Sequence, residues 1–279
     1  MSLLEVRNVS KSFSSGRDLL GRKSRWSHAV QDVSFSLERG ECLAVVGESG
    51  AGKSTVGRIV LRLIEPDTGS IAFDGADVRA AKAGELRRMR RGMQMIFQDP
   101  HSSLDPRMTV GEAVAEALVV HTDLDRAART KKVSAMLDRV GIGSRYLSRY
   151  PAELSGGQLQ RVAIARALTL DPKMIVCDEP VAALDVSVRA QVLNLLRDLQ
   201  EELGVAYLFV CHDLALIEVI ADRVMVMAGG KVVETGDVQQ IFTDPQQEYT
   251  RALLEAIPVP VPRAARLAAE AVPSPSLSS

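Results

Sequence analysis

Apolar and polar residues alternate in "LLEVRNVS" and again in "VQDVSFSLERGE", where Val33, Phe35 and Leu37 take every second position and Gly40 closes the run as a turn. A period of two sets one strand face against a core, so both segments read as β. The run "CLAVVG" behaves differently. It is continuously apolar, like a strand covered on both faces, and passes at once into the helical pattern "KSTVGRIVLRLI", which stops before Pro66. After a turn near Asp67 to Gly69, "SIAFDG" resumes as a short strand. Two more buried strands are predicted in "KMIVCDEP" and "VAYLFVCHD". The helix between them, "VSVRAQVLNLLRDLQEEL", carries Val188, Val192, Leu195, Leu196, Leu199 and Leu203 as one stripe before Gly204. Strand, helix and strand again is the rhythm of a parallel sheet.

Between these halves, Thr109 to Leu168 holds helical patterns ("TVGEAVAEALVV", "AARTKKVSAMLDRVGI") and no convincing strand, which predicts a helical subdomain inserted into an α/β core. Near the end, "VMVMAGGKVVE" reads as a hairpin turning at Gly229 and Gly230. The stretch Ser14 to Ala29, rich in Gly, Ser and Arg, is predicted to be a long exposed loop; Trp26 within it suits a packing anchor or a binding residue equally. The Pro, Ala and Ser of the tail predict mobility past about Pro262.

At 279 residues, 46% hydrophobic and 25% charged, the chain suffices for one large domain or one domain with a subdomain. A net charge of −1 gives no global field for nucleic acid, and the basic run "LRRMRRGM" reads as a solvated face. Cys42, Cys177 and Cys211 lie inside apolar runs without metal-type spacing, so reduced thiols in a reducing compartment are expected. The start shows no leader pattern and no apolar run approaches a membrane span. The expected location is therefore cytoplasmic, with any membrane role supplied by a partner.

The chemistry concentrates at strand ends. "GESGAGKST", Gly47 to Thr55, completes the pattern G-x-x-x-x-G-K-[ST] between a buried strand and an amphipathic helix. Its glycines let backbone N–H groups turn around phosphate oxygens, the helix N-terminus adds positive partial charge, Lys53 neutralises β- and γ-phosphate charge, and Ser54 offers a hydroxyl to Mg²⁺. After the strand "MIVC", Asp178 would hold Mg²⁺ and Glu179 would orient or deprotonate an attacking water. Taken alone, two acids there also suit a solvated strand end before Pro180. Gln98 and His212 close two further apolar runs, where open α/β sheets place ligand chemistry. Singly, each is an unremarkable polar residue. The segment "LSGGQLQRVAIARAL" opens a helical pattern with Gly156 and Gly157, which weaken a helix and so call for another reason to be there.

In this order the motifs resemble the ATP-binding subunit of an ABC transporter, from roughly Leu3 to Pro262. Phe13 stands where the family stacks an aromatic on adenine; Gly47, Glu48, Ser49, Gly50, Ala51, Gly52, Lys53, Ser54 and Thr55 match the Walker A loop, and Gln98 the Q-loop, where it also reaches the metal. Leu154 to Gln158 match the LSGGQ signature, Asp178 and Glu179 match Walker B with its catalytic glutamate, Asp185 lies in the D-loop, and His212 is the switch histidine. The resemblance implies an α/β fold: a P-loop NTPase (RecA-like) core with a parallel sheet, an N-terminal antiparallel β subdomain and an inserted α-helical subdomain. Residues 1–262 would form the ATP-binding domain, with the helical part at about 100–168, and residues 263–279 a flexible tail.

The cofactors implied are ATP and Mg²⁺. A Walker A loop covers the triphosphate from one side, and Ser155, Gly156, Gly157 and Gln158 make a second anion-binding helix start for the far face of the γ-phosphate. In the family that surface comes from the opposite subunit, so two ATPase subunits, identical or paralogous, would sandwich two ATP molecules head to tail. The segments "MQMIFQDPHSSLDPRMTV" and "FTDPQQEYTRALLEAIPVP" resemble the branch serving dipeptide, oligopeptide and nickel importers. That branch implies two transmembrane permease subunits, an extracytoplasmic solute-binding protein, no nucleic acid, and a peripheral position on the cytoplasmic face of the cell membrane. The cargo reading is peptide uptake, with nickel or a metal chelate as the alternative. A soluble ABC ATPase acting on nucleic acid or ribosomes, and a non-hydrolysing nucleotide-gated adaptor, are the competing classes. The chain departs from the family at Ala182, where serine is usual, at Cys211, where threonine or serine is common, and at Leu159, where the branch often has arginine. No cysteine cluster follows in the tail, so no iron–sulfur centre is expected.

Overall fold

A computed structural model describes residues 2–17 and 23–256. Two long strands open the chain, β1 (Leu4–Arg17) and β2 (Lys23–Leu37), followed by β3 (Cys42–Val46), helix α1 (Lys53–Val60), β4 (Thr68–Phe73) and β5 (Ala76–Asp77). Helix α2 (Ala83–Gly92) leads into β6 (Met93–Ile96). Helices then take over: α3 (Pro100–Ser103), α4 (Val110–His121), α5 (Arg126–Arg139) and α6 (Gly156–Leu168). The chain returns to the sheet through β7 (Met174–Asp178), α7 (Val186–Leu203) and β8 (Ala206–Val210). The described part closes with α8 (Ile217–Ile220), β9 (Arg223–Ala228), β10 (Lys231–Asp237), α9 (Val238–Thr243) and α10 (Glu248–Glu255).

The strands form a six-stranded sheet in the order β10-β9-β3-β8-β7-β6 and a four-stranded sheet in the order β2-β1-β4-β5. The larger sheet is parallel except for β10, which returns beside β9 through the turn at Gly229 and Gly230. The smaller one is antiparallel throughout. Every residue of β3, β7 and β8 is buried, as their continuous apolar runs require. Alternation then divides their side chains. Ile175, Cys177, Tyr207 and Phe209 face a core shared with Leu118, Leu137, Ile164 and Leu196 of the helices. Val176, Leu208 and Val210 face a second core built with Val33, Leu37 and Ile71 of the smaller sheet and with Ile59 of α1.

Where the stretch predicted as an exposed loop is described, at residues 14–17 and 23–29, it is strand instead. β1 and β2 continue their ladder past the core, pairing Phe13 with Ser27 and Ser14 with Trp26. Hydrophobic alternation reports burial rather than backbone pairing, and a ribbon running beyond the core carries no such signal. The apolar stripe of α7 is also shifted: Val192, Leu193, Leu196 and Leu199 are buried while Leu203 is exposed, and Gly204 ends the helix in the left-handed region at φ 64°. Helix α2, the basic run, buries no residue. All three cysteines are buried free thiols. Among the described residues no helix is long and apolar enough to cross a membrane. The Pro/Ala/Ser-rich tail lies outside the described residues.

One buried carboxylate ties the last described helix to the sheet. Glu234 of β10 accepts from the Gln246 amide at 2.8 Å, the Gln247 amide at 3.1 Å and the Gln240 side chain at 3.3 Å, fixing the start of α10. Burial alone would push its pKa up, but the contact with Thr250 and the two amides outweigh burial and hold it below the ordinary glutamate value of 4.5. The stabilisation is therefore present above that value and is lost as pH falls through the lower native one. Glu234→Gln is expected to cost about 1 to 2 kcal/mol at neutral pH in urea unfolding, and the gap from the parent protein should close under acid conditions.

Candidate functional site

Four strands of the large sheet end at one place. Gly47 follows β3, Gln98 lies just past β6, Glu179 follows β7 and His212 lies just past β8, so the parallel strands deliver their chemistry to a common edge. Between them opens a cleft of about 590 Å³ lined by Ser49, Gly50, Gly52, Lys53, Ser54 and Thr55, by Gln98, Glu179 and His212, and by Ser27, His28 and Ala29 of β2. The first nine were read from sequence. The β2 residues were not, because nothing local in "SHA" marks them.

The loop owes its shape to glycine. Gly47 sits at φ 143°, and a Cβ there would fall 2.1 Å from the Met227 carbonyl oxygen; Gly52 sits at φ 98°, where a Cβ would fall 2.2 Å from the Ala29 carbonyl oxygen. Folded over this loop, Lys53 is only 5% exposed and donates from Nζ to the carbonyls of Gly47 at 2.8 Å and Glu48 at 2.9 Å. The Ala51 amide also donates to the Glu48 carbonyl, at 3.1 Å. Burial pushes the Lys53 pKa down, and the negative charges of Glu179 and Asp178 partly restore it. A largely buried ammonium beside a glycine loop at a helix start is a strong attractor for phosphate.

Behind the lysine, the Ser54 hydroxyl donates to Asp178 Oδ1 at 2.6 Å, and Arg58 Nη2 lies 3.5 Å from Oδ2. Asp178 is 2% exposed. A hydroxyl and a carboxylate in contact are hard oxygen donors of the kind Mg²⁺ accepts alongside phosphate and water. Glu179 is one of the few non-glycine residues in the left-handed region, at φ 48°, and its amide donates to the Val210 carbonyl at 3.0 Å. That conformation costs about 1 to 2 kcal/mol and turns its carboxylate into the cleft. Its Oε2 accepts from Gln98 Nε2 at 2.9 Å and lies 3.2 Å from His212 Nδ1. Two neighbouring strand ends thus converge on one carboxylate oxygen. Cys211 precedes His212 as a buried thiol whose pKa burial pushes up to about 11.

The remaining residues singled out from sequence lie elsewhere. Phe13 is exposed on the β1–β2 ribbon and does not line the cleft; it is tied to the edge only by pairing with Ser27, and the Lys11 ammonium sits 5.7 Å from its ring centre. Ser155 caps α6 in a reciprocal box with Gln158, accepting from the Gln158 amide at 3.4 Å and donating its own amide to the Gln158 side chain at 2.9 Å. Ser155 and Gly156 are exposed, and no residue from Ser155 to Gln158 lines the cleft. Asp185 is exposed at the start of α7, its carbonyl taking the amides of Val188 at 3.0 Å and Arg189 at 2.9 Å. The Arg189 side chain in turn donates to the Leu184 carbonyl at 2.7 Å and the Ala182 carbonyl at 3.2 Å, bracing the loop that leads into α7.

A family model described as "ABC transporter" matches residues 30–182, and one described as "Oligopeptide/dipeptide transporter, C-terminal region" matches residues 233–278. Over 98% of its length the chain is 48% identical to the glutathione import ATP-binding protein GsiA of Pectobacterium atrosepticum. Over 93% of its length it is 50% identical to the protein of that name from Shigella dysenteriae serotype 1. It spans less than half of these relatives, 44% and 42%. Among solved structures it resembles the dimeric, post-hydrolysis ATP-binding cassette MJ0796 bound to ADP and Pi, with a TM-score of 0.75 and 29% identity over 84% of this chain and 98% of that one. It also resembles cbiO1 of Clostridium perfringens, part of the ABC transporter complex cbiONQ, with a TM-score of 0.75 and 28% identity over 96% of this chain and 99% of that one.

The paired glycines at the start of α6 separate physically. A Cβ on Gly157 would meet Val188 Cγ1 at 2.6 Å, whereas one on Gly156 would make an ordinary 3.6 Å contact with Leu184. Gly157→Ala should cost about 1 to 3 kcal/mol in chemical unfolding, whereas Gly156→Ala should not lower the unfolding midpoint and should add up to about 1 kcal/mol of stability.

Proposed function

The chain belongs to the ABC transporter family, and from that premise we propose that it is the ATP-hydrolysing subunit of an importer that takes up short peptides. The observation that carries this reading is the convergence on one cleft of Lys53, the Ser54–Asp178 pair and the Gln98–Glu179–His212 cluster. Lys53 and the loop amides bind the β- and γ-phosphates. Ser54 and Asp178, with Gln98 lining the same cleft, would hold Mg²⁺, which would neutralise charge on those phosphates. Glu179 orients a water and takes its proton as the water oxygen attacks the γ-phosphorus and the bond to the β-phosphate oxygen breaks, leaving ADP and phosphate. His212 and Gln98, sharing Oε2, fix the direction of that carboxylate. Phe13, which pairs with Ser27 at the cleft's edge without lining it, would stack on the adenine beside that β2 edge.

A triphosphate seated on the glycine loop would be covered from one side only, and Ser155 and Gly156 form an exposed helix start that does not line their own chain's cleft. This supports a head-to-tail pair in which Ser155, Gly156, Gly157 and Gln158 of each ATPase subunit close the site of the other, with Asp185 at the seam. Packing explains Gly157 within the chain; Gly156 has no such reason, which suits a position kept bare for an incoming phosphate. A groove of about 290 Å³ between β6, α4 and α6, bordered by the exposed Phe97 and Val120, suits a short cytoplasmic helix of a permease subunit. Phe97 and Gln98 are adjacent, so a helix seated there acts on the residue that touches Glu179. Peptide cargo is supported by the match of residues 233–278 and by relatives named for import of glutathione, a short peptide. The reading places the subunit on the cytoplasmic face of the membrane, under two permease subunits served by an extracytoplasmic binding protein.

Glu179→Gln tests the reading. ATP binding should persist while phosphate release falls about 100-fold or more, and ATP-trapped pairs should accumulate on gel filtration. A variant that hydrolyses ATP at the parental rate removes Glu179 from the proposed role.

A further inference from the structure

The last described helix reaches back to the phosphate loop. Tyr249, on α10, accepts from the Glu48 amide at 3.4 Å, a contact between residues 201 positions apart. That is long for an N–H···O bond, and its significance lies in what the same peptide does on its other side. The Glu48 N–H and the Gly47 C=O belong to one peptide unit. The Gly47 carbonyl oxygen accepts from Lys53 Nζ at 2.8 Å. A trans peptide directs its N–H and C=O in opposite directions, and the described chain has no cis bond, so Tyr249 and Lys53 hold one peptide plane from opposite sides. The plane adjoins Gly47, the residue type whose flanking peptides rotate most freely.

Tyr249 is itself firmly placed. Its half-buried ring packs on the apolar cluster containing Val46, the residue before Gly47, together with Val226 and Ile241. Glu234 clamps the amides of Gln246 and Gln247 immediately upstream. Both Glu234 and Tyr249 fall in the region 233–278, separate from the match over residues 30–182 that contains the phosphate loop. We propose that Tyr249 is a positioning residue for nucleotide binding: its hydroxyl fixes the Gly47–Glu48 peptide so that the Gly47 carbonyl holds Lys53 at the mouth of the loop. The inference rests on the nucleotide-binding reading above and gives the C-terminal region a part in that site.

The role passes through Lys53, which a merely structural tyrosine would not require. Tyr249→Phe keeps the ring and removes the hydroxyl. Affinity for a fluorescent ATP analogue with Mg²⁺ is measured on the full chain for the parent, Tyr249→Phe, Lys53→Ala and the double variant. Tyr249→Phe should weaken binding about three- to tenfold in the parent and less than about twofold in the Lys53→Ala background, with an unchanged melting temperature. An equal loss in both backgrounds, or no loss in either, overturns the proposal. Failure of the parent chain to bind the analogue would instead overturn the nucleotide reading itself.

Discussion

A single buried cation organises this protein. Lys53 keeps a largely buried ammonium on the wall of the cleft, with two carbonyls of its own loop as hydrogen-bond partners and two carboxylates close enough to oppose the effect of burial on its pKa. Charge withdrawn this far from solvent is costly unless it is compensated, and here the compensation is spread over the ends of neighbouring strands. The parallel sheet supplies those ends. Each crossover returns the chain through a helix so that the next strand points the same way, which is why a glycine loop, an Asp-Glu pair and a histidine far apart in sequence share one edge.

Much of this architecture was legible from the chain because burial leaves a local record. The unbroken apolar runs of β3, β7 and β8 specify strands covered on both faces, and the glycine loop follows the first of them at a helix start. Glu179, Gln98 and His212 were visible for the same reason, each a polar residue ending such a run. Where burial gives no record, sequence fell short. The outer part of the β1–β2 ribbon pairs backbone to backbone beyond the core, and its Gly, Ser and Arg read as a loop. Ser27, His28 and Ala29 line the cleft by proximity alone.

The contacts that cross the whole chain were the least visible. Nothing around Glu48 announces Tyr249, and nothing in "KVVETG" announces that Glu234 receives the amides that begin α10. Such pairs are fixed by how layers stack rather than by any local period. The two signature glycines teach a related lesson: both look like a device for exposing backbone, yet Gly157 is also demanded by the approach of Val188, and only Gly156 is left without a packing reason.

An arrangement in which one subunit binds the triphosphate and another closes it makes nucleotide the bridge between them, and hydrolysis the event that weakens the bridge. The most direct measurement is a structure of the Glu179→Gln variant with Mg-ATP and the ATPase subunit that pairs with it. The account predicts Lys53 of one chain on one side of the γ-phosphate and the signature helix start of the opposite chain hydrogen-bonded on the other. A γ-phosphate whose outer face meets only solvent, or meets Ser155 of its own chain, would contradict it.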